Sequence, residues 1–201
     1  GAQRPIDGDY PYYVVTEFDA PDERAQEAAL AAFEQGVAEG WICDGVIAQS
    51  EAQAAALWRL REGIAEALDS YRPYKNDVSV RVAAVPEFLH EMQALLAREY
   101  PSTEVVWFGH IGDGNLHINV LRPDGQDDAA FVAQCGRVTK LLADTLHRFG
   151  GSISAEHGIG LLKRDYLGST RSAAEIALMR GVRKVFDPNG ILNPGKLFEP
   201  D

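Results

Sequence analysis

The chain has 201 residues and a mass of 22.0 kDa, enough to bury a core without disulfide staples. A hydrophobic fraction of 46%, with aromatics spread along the chain, argues against a disordered chain. The 19 basic and 30 acidic residues leave a formal charge of −11, which argues against nucleic acid and anionic membrane as main partners. It leaves open a small anionic substrate, which needs only a local cluster of cations or a metal.

In chain order, Tyr12 to Phe18 is β-branched and aromatic and predicts a strand. Asp19 to Glu23 caps a helix running to about Glu39, with Pro21 in its first turn and Gly40 at its end. Asp44 to Ala48 predicts a second, short strand, and Ser50 an N-cap for an Ala-rich helix to about Leu68. Asp77 to Val82 alternates polar and apolar residues, as a half-buried strand does. Pro86 opens a helix to about Glu99, Glu104 to Val120 reads as a β-hairpin, and Asp127 to Phe149 as a long amphipathic helix stopped by Gly150-Gly151. A last helix runs from Ser172 to Phe186, before a turn-rich tail. The pattern predicts one α+β domain over 1–201, an antiparallel sheet with helices packed on one face, ferredoxin-like with additional helices. No Gly-rich dinucleotide fingerprint follows any strand.

Two cysteines, Cys43 and Cys135, are too few for a disulfide framework. No apolar run reaches the length of a membrane helix, and the first five residues are not a signal peptide. A reducing compartment, cytoplasmic or matrix-like, fits. The absence of a start Met suggests a chain processed, tagged or cut from something larger.

The hairpin carries the strongest chemical signal. Asp113-Gly114 between alternating segments predicts a two-residue turn, which pairs Gly112 with Asn115, Ile111 with Leu116 and His110 with His117. Directly opposed residues have Cβ atoms about 4.5–5.5 Å apart, so the two imidazoles can share one divalent ion. Phe108 and Asn119 fall on the same face, and Trp107, Gly109, Ile111, Leu116, Ile118 and Val120 on the other, which is the core face.

A second constellation, Gly150 to Gly160, brackets adjacent Glu156 and His157 with glycines. On an extended segment the two point to different sides. Glu156 then completes a His110, His117, Glu156 site of the open, catalytic type, and His157 faces substrate as a base. Arg61 and Lys75 are candidate carboxylate binders.

Together these segments resemble the C-terminal substrate (cap) domain of the flavin-linked D-2-hydroxyacid dehydrogenases of the vanillyl-alcohol-oxidase superfamily. The resemblance rests on GHIGDGNLHINV at 109–120, SAEHGIG at 154–160 and DPNGILNPGK at 187–196, and on the segments at 57–64 and 74–80. It implies an FAD-binding domain that precedes this one and lies outside the chain, FAD as redox cofactor, and a divalent metal, most often zinc, on His110, His117 and Glu156. It implies His157 as catalytic base, Arg61, Lys75 and Asn119 on the substrate, and Asn193 and Lys196 in a segment near the flavin. The substrate is then a small D-2-hydroxy acid oxidised to the 2-oxo acid by hydride transfer to flavin, with an unidentified electron acceptor. The fragment alone is expected to be inactive. Relatives acting on 2-hydroxyglutarate tend to carry Thr four residues after the helix arginine; Ala65 here weakens that five-carbon diacid. Two alternatives remain open: a metal-dependent hydrolase using the same three ligands, and a non-enzymatic subunit that binds a flavoprotein.

Overall fold

The structure is a computed structural model describing residues 3–199, which fall into two compact units, one ending at Ser70 and the other beginning at Tyr71.

The first unit is helical. α1 (Glu23–Ala38) starts where Asp22 accepts the N–H of Ala25 at 2.9 Å, and the chain leaves it through Gly40, which takes the left-handed conformation. α2 (Glu51–Glu62) is capped by Ser50, whose hydroxyl accepts the N–H of Gln53. Arg59 and Arg61 lie in its last turn, where the helix dipole favours cations. The helix expected to continue to Leu68 is interrupted at Gly63 and resumes as α3 (Ile64–Leu68). The strands expected over 12–18 and 44–48 do not form. Propensity readies a segment for a ladder, but a strand also needs a neighbour for its N–H and C=O groups. Neither segment has one within the unit, and Tyr12, Tyr13, Val14, Phe18, Val46 and Ile47 are exposed.

The second unit is an antiparallel three-stranded sheet with helices on one face. β1 (Tyr74–Ser79) is followed by α4 (Val85–Glu99), the hairpin β2 (Val105–His110) and β3 (Asn115–Val120), and α5 (Asp128–Phe149). The sheet order is β1-β3-β2. That is a ferredoxin-like βαββαβ arrangement up to its last strand. The chain after α5 contributes one antiparallel bridge, Ser152 to Ser79, on the other edge of β1. The expected strand over 77–82 begins three residues earlier, and Val82–Ala84 turns into α4 instead.

One face of the sheet carries Val78, Leu116, Ile118 and Val120, packed with Phe88, Met92 and Leu96 of α4 and Val138, Leu142 and Leu146 of α5. Each of these side chains is worth about 1.5–3 kcal/mol relative to exposure. Thr139 of α5 hydrogen-bonds the Tyr74 hydroxyl at 2.8 Å, and Asn76 donates to the Ile118 carbonyl, so polar atoms on this face are satisfied. Beyond α5 come the short helices α6 (Gly160–Lys163) and α7 (Leu167–Thr170), and α8 (Ala173–Phe186), opened by a capping box between Ser172 and Glu175. No helix among the described residues is long and apolar enough to cross a membrane.

Candidate active site

The site is built on the sheet face opposite the core. Strand pairing sets three adjacent rows there: Lys75, Asn119 and Val106; Asp77, His117 and Phe108; Ser79, Asn115 and His110. Strand alternation therefore gathers onto one surface every polar residue that the core face excludes.

A turn following the Ser79–Ser152 bridge lies against this face. A single oxygen of Asp77, Oδ2, accepts the Ser154 hydroxyl at 3.2 Å and the backbone N–H groups of Ala155, Glu156 and His157 at 3.1, 3.1 and 2.9 Å. Three consecutive N–H groups aimed at one acceptor form an anion-binding concavity, which an extended segment cannot do. Lys163 closes the arrangement from below, donating to the Asp77 carbonyl at 2.9 Å with its ammonium 3.9 Å from Oδ2. Burial pushes the Asp77 carboxyl upward, but the N–H groups of His157 and Glu156 and the charges of Lys163 and His157 outweigh it and hold the group below the usual carboxylate range. Burial pushes the Lys163 ammonium downward, against the opposing pull of Asp77.

The turn brings four potential ligands together. His117 Nε2 is 3.5 Å and His157 Nε2 is 3.4 Å from Glu156 Oε1, while the Nδ1 atoms of the two rings face the two oxygens of Asp77 at 3.8 and 3.9 Å. One ligand atom from each of these four residues lies within 4.8 Å of the others. The His117 ring is flanked by Phe108, with centroids 4.9 Å apart, and by the stacked ring of His157 at 5.4 Å. Asn115 Nδ2 donates to Glu156 Oε2 at 3.0 Å. Glu156 and His157 are half exposed, whereas Asp77 and His117 lie at the buried end. Three buried atoms of this face have no hydrogen-bond partner among the described residues: Asp77 Oδ1, Asn115 Oδ1 and Asn119 Nδ2. Buried polar atoms left without partners are costly, and a polar ligand at this face would satisfy them. Imidazole nitrogens beside carboxylate oxygens, with an open side, are the donor set of a divalent-metal site, so the residues present fit such an ion.

Residues 1–197 match the family of FAD linked oxidases, C-terminal domain. The chain belongs to that family. It is 68% identical over 199 residues to a D-2-hydroxyglutarate dehydrogenase of Xanthomonas citri pv. viticola, covering 99% of this chain and 42% of that protein. It is 53% identical over 194 residues to a D-2-hydroxyglutarate dehydrogenase of Stutzerimonas stutzeri, covering 96% and 42%. A mitochondrial D-2-hydroxyglutarate dehydrogenase of Arabidopsis thaliana is 34% identical over 200 residues, covering 98% and 34%. The chain thus spans less than half the length of the curated relatives it matches.

In this FAD-linked oxidase domain the hairpin register differs from expectation. His110 pairs with Asn115 and His117 with Phe108, a shift of two residues. A two-residue turn of the tightest hairpin type needs positive φ at both Asp113 and Gly114. Only Gly114 has it, so Ile111–Asp113 forms a 3-10 turn and the loop takes four residues. A shift by two preserves the faces. His110 therefore stays on the site face, diagonal to His117, but it is exposed and outside the four-residue cluster. Ile111, expected on the core face, is exposed in the loop. Glu156 and His157 do not diverge either, because the Asp77-bound turn brings both to one centre.

Lys75 and Asn119 are direct cross-strand neighbours one row from His117. Arg61 lies on α2, in the other unit. Asn193 and Lys196 line one shallow cavity with Arg183, Phe186, Asp187 and Leu192. Asp77 is the member that sequence reasoning missed. Its only signal was a lone acid at a position that alternation places on the polar face of a strand.

Proposed function

We propose that this domain is the substrate-binding part of an FAD-dependent dehydrogenase that oxidises a D-2-hydroxy acid to the 2-oxo acid. The observation that carries the reading is the polar sheet face, where His117, Glu156 and His157 converge beside Lys75 and Asn119. In this reading His110, His117 and Glu156 hold a divalent ion, zinc being the first candidate. His110 is drawn in from the adjoining row, where its partner Asn115 already contacts Glu156. The bound ion supplies Lewis-acid stabilisation of negative charge on the substrate hydroxyl oxygen, and FAD, held mainly by a preceding domain, supplies the hydride acceptor.

The remaining work belongs to the chain's own residues. Lys75 and Asn119 offer an ammonium and an amide to the substrate carboxylate. His157 is the base. Its Nδ1 faces the Asp77 carboxylate, which favours the proton there and leaves Nε2, on the Glu156 side, to accept the C2 hydroxyl proton. Asn193 and Lys196 form the flavin-facing segment.

The relatives named for D-2-hydroxyglutarate support that diacid as substrate, whereas Ala65 speaks for a smaller acid. The deciding measurement is dye reduction by the FAD-loaded full-length protein, comparing kcat/KM for D-2-hydroxyglutarate, its L-enantiomer and D-lactate, with metal content measured alongside. We expect turnover with a D-2-hydroxy acid and none with the L-form. A flavin-loaded protein that oxidises none of the D-acids sinks the reading.

A second ligand set is favoured by the distances themselves: Asp77, His117, Glu156 and His157, without His110. The two sets separate by metal content. With His110 as ligand and His157 as base, His110→Ala loses the metal and His157→Ala keeps it while turnover falls; the reverse pattern selects the second set.

A further inference from the structure

Asp77 lies beneath the cluster, and the functional reading above uses it only to orient His157 or, in the second ligand set, as one ligand among four. It is the point where the two halves of the site meet. The histidine half is carried by β3, the Glu156–His157 half by a turn about 40 residues further on. Among the described residues, the only β-bridge outside the ladders of the sheet joins the segment leading to the turn to β1, at Ser152 and Ser79, upstream of Glu156. Beyond it, the backbone N–H groups of residues 155–157 all go to the Asp77 carboxylate.

The division of labour between the two oxygens is specific. Oδ2 takes four donors from residues 154–157, so it has no lone pair to spare for a metal. Oδ1 has no hydrogen-bond partner, is fully buried, and is the atom facing His117 Nδ1 at 3.8 Å. That is longer than a hydrogen bond. It is close enough for the carboxylate to favour the ring tautomer protonated at Nδ1, and to leave the Nε2 lone pair pointing at Glu156. Lys163, itself largely buried, balances the charge from the opposite side.

We propose that Asp77 is the positioning residue of this site: one oxygen pins the turn carrying Glu156 and His157 to the sheet, and the other sets the orientation and tautomer of His117. This rests on the metal-site reading only for its effect on affinity; the effect on the protein itself is independent of any ion.

Three readouts on the full-length protein test it. In the wild type, the amides of residues 155–157 are protected from hydrogen exchange like strand amides rather than like a surface loop. In the metal-free protein labelled with 15N-histidine, the His117 ring shows a protonated Nδ1 and an unprotonated Nε2. Asp77→Asn keeps one carbonyl oxygen for the turn but presents an NH2 donor to Nδ1, so the tautomer inverts. In direct titration with zinc alone, affinity falls about 10–100-fold in Asp77→Asn, as for other residues that orient a ligand from behind. Unprotected amides at 155–157 in the wild type, or an unchanged His117 tautomer in folded Asp77→Asn, overturns the proposal. Should the variant fail to fold, the wild-type exchange pattern decides alone. A wild type that binds no zinc but shows protected amides and the Nδ1 tautomer rejects the metal reading and leaves Asp77 in its role.

Discussion

Replacing Gly114 by Ala tests the hairpin geometry on which the site depends. Gly114 sits at φ 76°, ψ 11°, and its N–H bonds the Ile111 carbonyl to close the four-residue loop. For any other residue the left-handed conformation costs about 1–2 kcal/mol. An added Cβ would also lie 1.9 Å from the backbone oxygen of Val80, where real Cβ contacts stay beyond 3.0 Å. One chain must therefore move by roughly 1 Å, which breaks the hydrogen bond from Val80 N–H to the Gly114 carbonyl, worth about 1 kcal/mol. The sum is about 2–3 kcal/mol, or about 8–12 °C in Tm at roughly 4 °C per kcal/mol for a unit of this size. Gly112 is the control two residues away: its φ is not positive, and a Cβ there meets nothing within 4 Å. Gly112→Ala should be neutral or stabilising by up to about 1 kcal/mol through the unfolded chain. Differential scanning calorimetry of the two variants reads this directly. Equal shifts, or a stable Gly114→Ala, would refute the four-residue loop and with it the His117–Phe108 register.

Further outcomes are expected elsewhere in the chain. Cys43 is exposed, whereas Cys135 is buried and its thiol is pushed up to about 11, so peptide mapping after brief alkylation at pH 8 should find Cys43 modified and Cys135 untouched until denaturant is added. Ser172→Ala removes the hydroxyl that caps α8 and should cost about 1 kcal/mol, read as a Tm decrease of a few degrees. Burial raises the Asp187 carboxyl, but the N–H groups of Leu192 and Ile191 and the Arg183 guanidinium outweigh it and leave the group below its ordinary value. Its stabilisation is therefore fully present above pH about 4 and lost as pH falls through the lowered native value. The gap in Tm between wild type and Asp187→Asn should be constant from pH 7 to 5 and shrink below pH 4; a gap that widens on acidification would reverse the assigned sign.

Much of the second unit was legible because its signals are local. Ser172 with Glu175, and Asp127 with Gly150, mark helix ends through side-chain and backbone groups a few residues apart. Strand alternation likewise places His110, His117, Phe108 and Asn119 on one face, as the pairing has them. The errors arose where a choice depended on distant partners. Asp113-Gly114 satisfies a two-residue turn in composition, but the loop adopts the conformation that lets Gly114 reach Val80. The aromatic run at 12–18 has the propensity of a strand without a ladder to join. An extended backbone would send Glu156 and His157 to opposite sides, and what bends it is an acid some 80 residues upstream. Nothing within the turn announces that contact.

Because Asp77 holds residues 155–157 through main-chain N–H groups, the anchorage is indifferent to which side chains those residues carry. The path of the turn is thus set from outside it, and no side chain at 155–157 is spent on that contact: Glu156 and His157 keep theirs for ligand and proton chemistry.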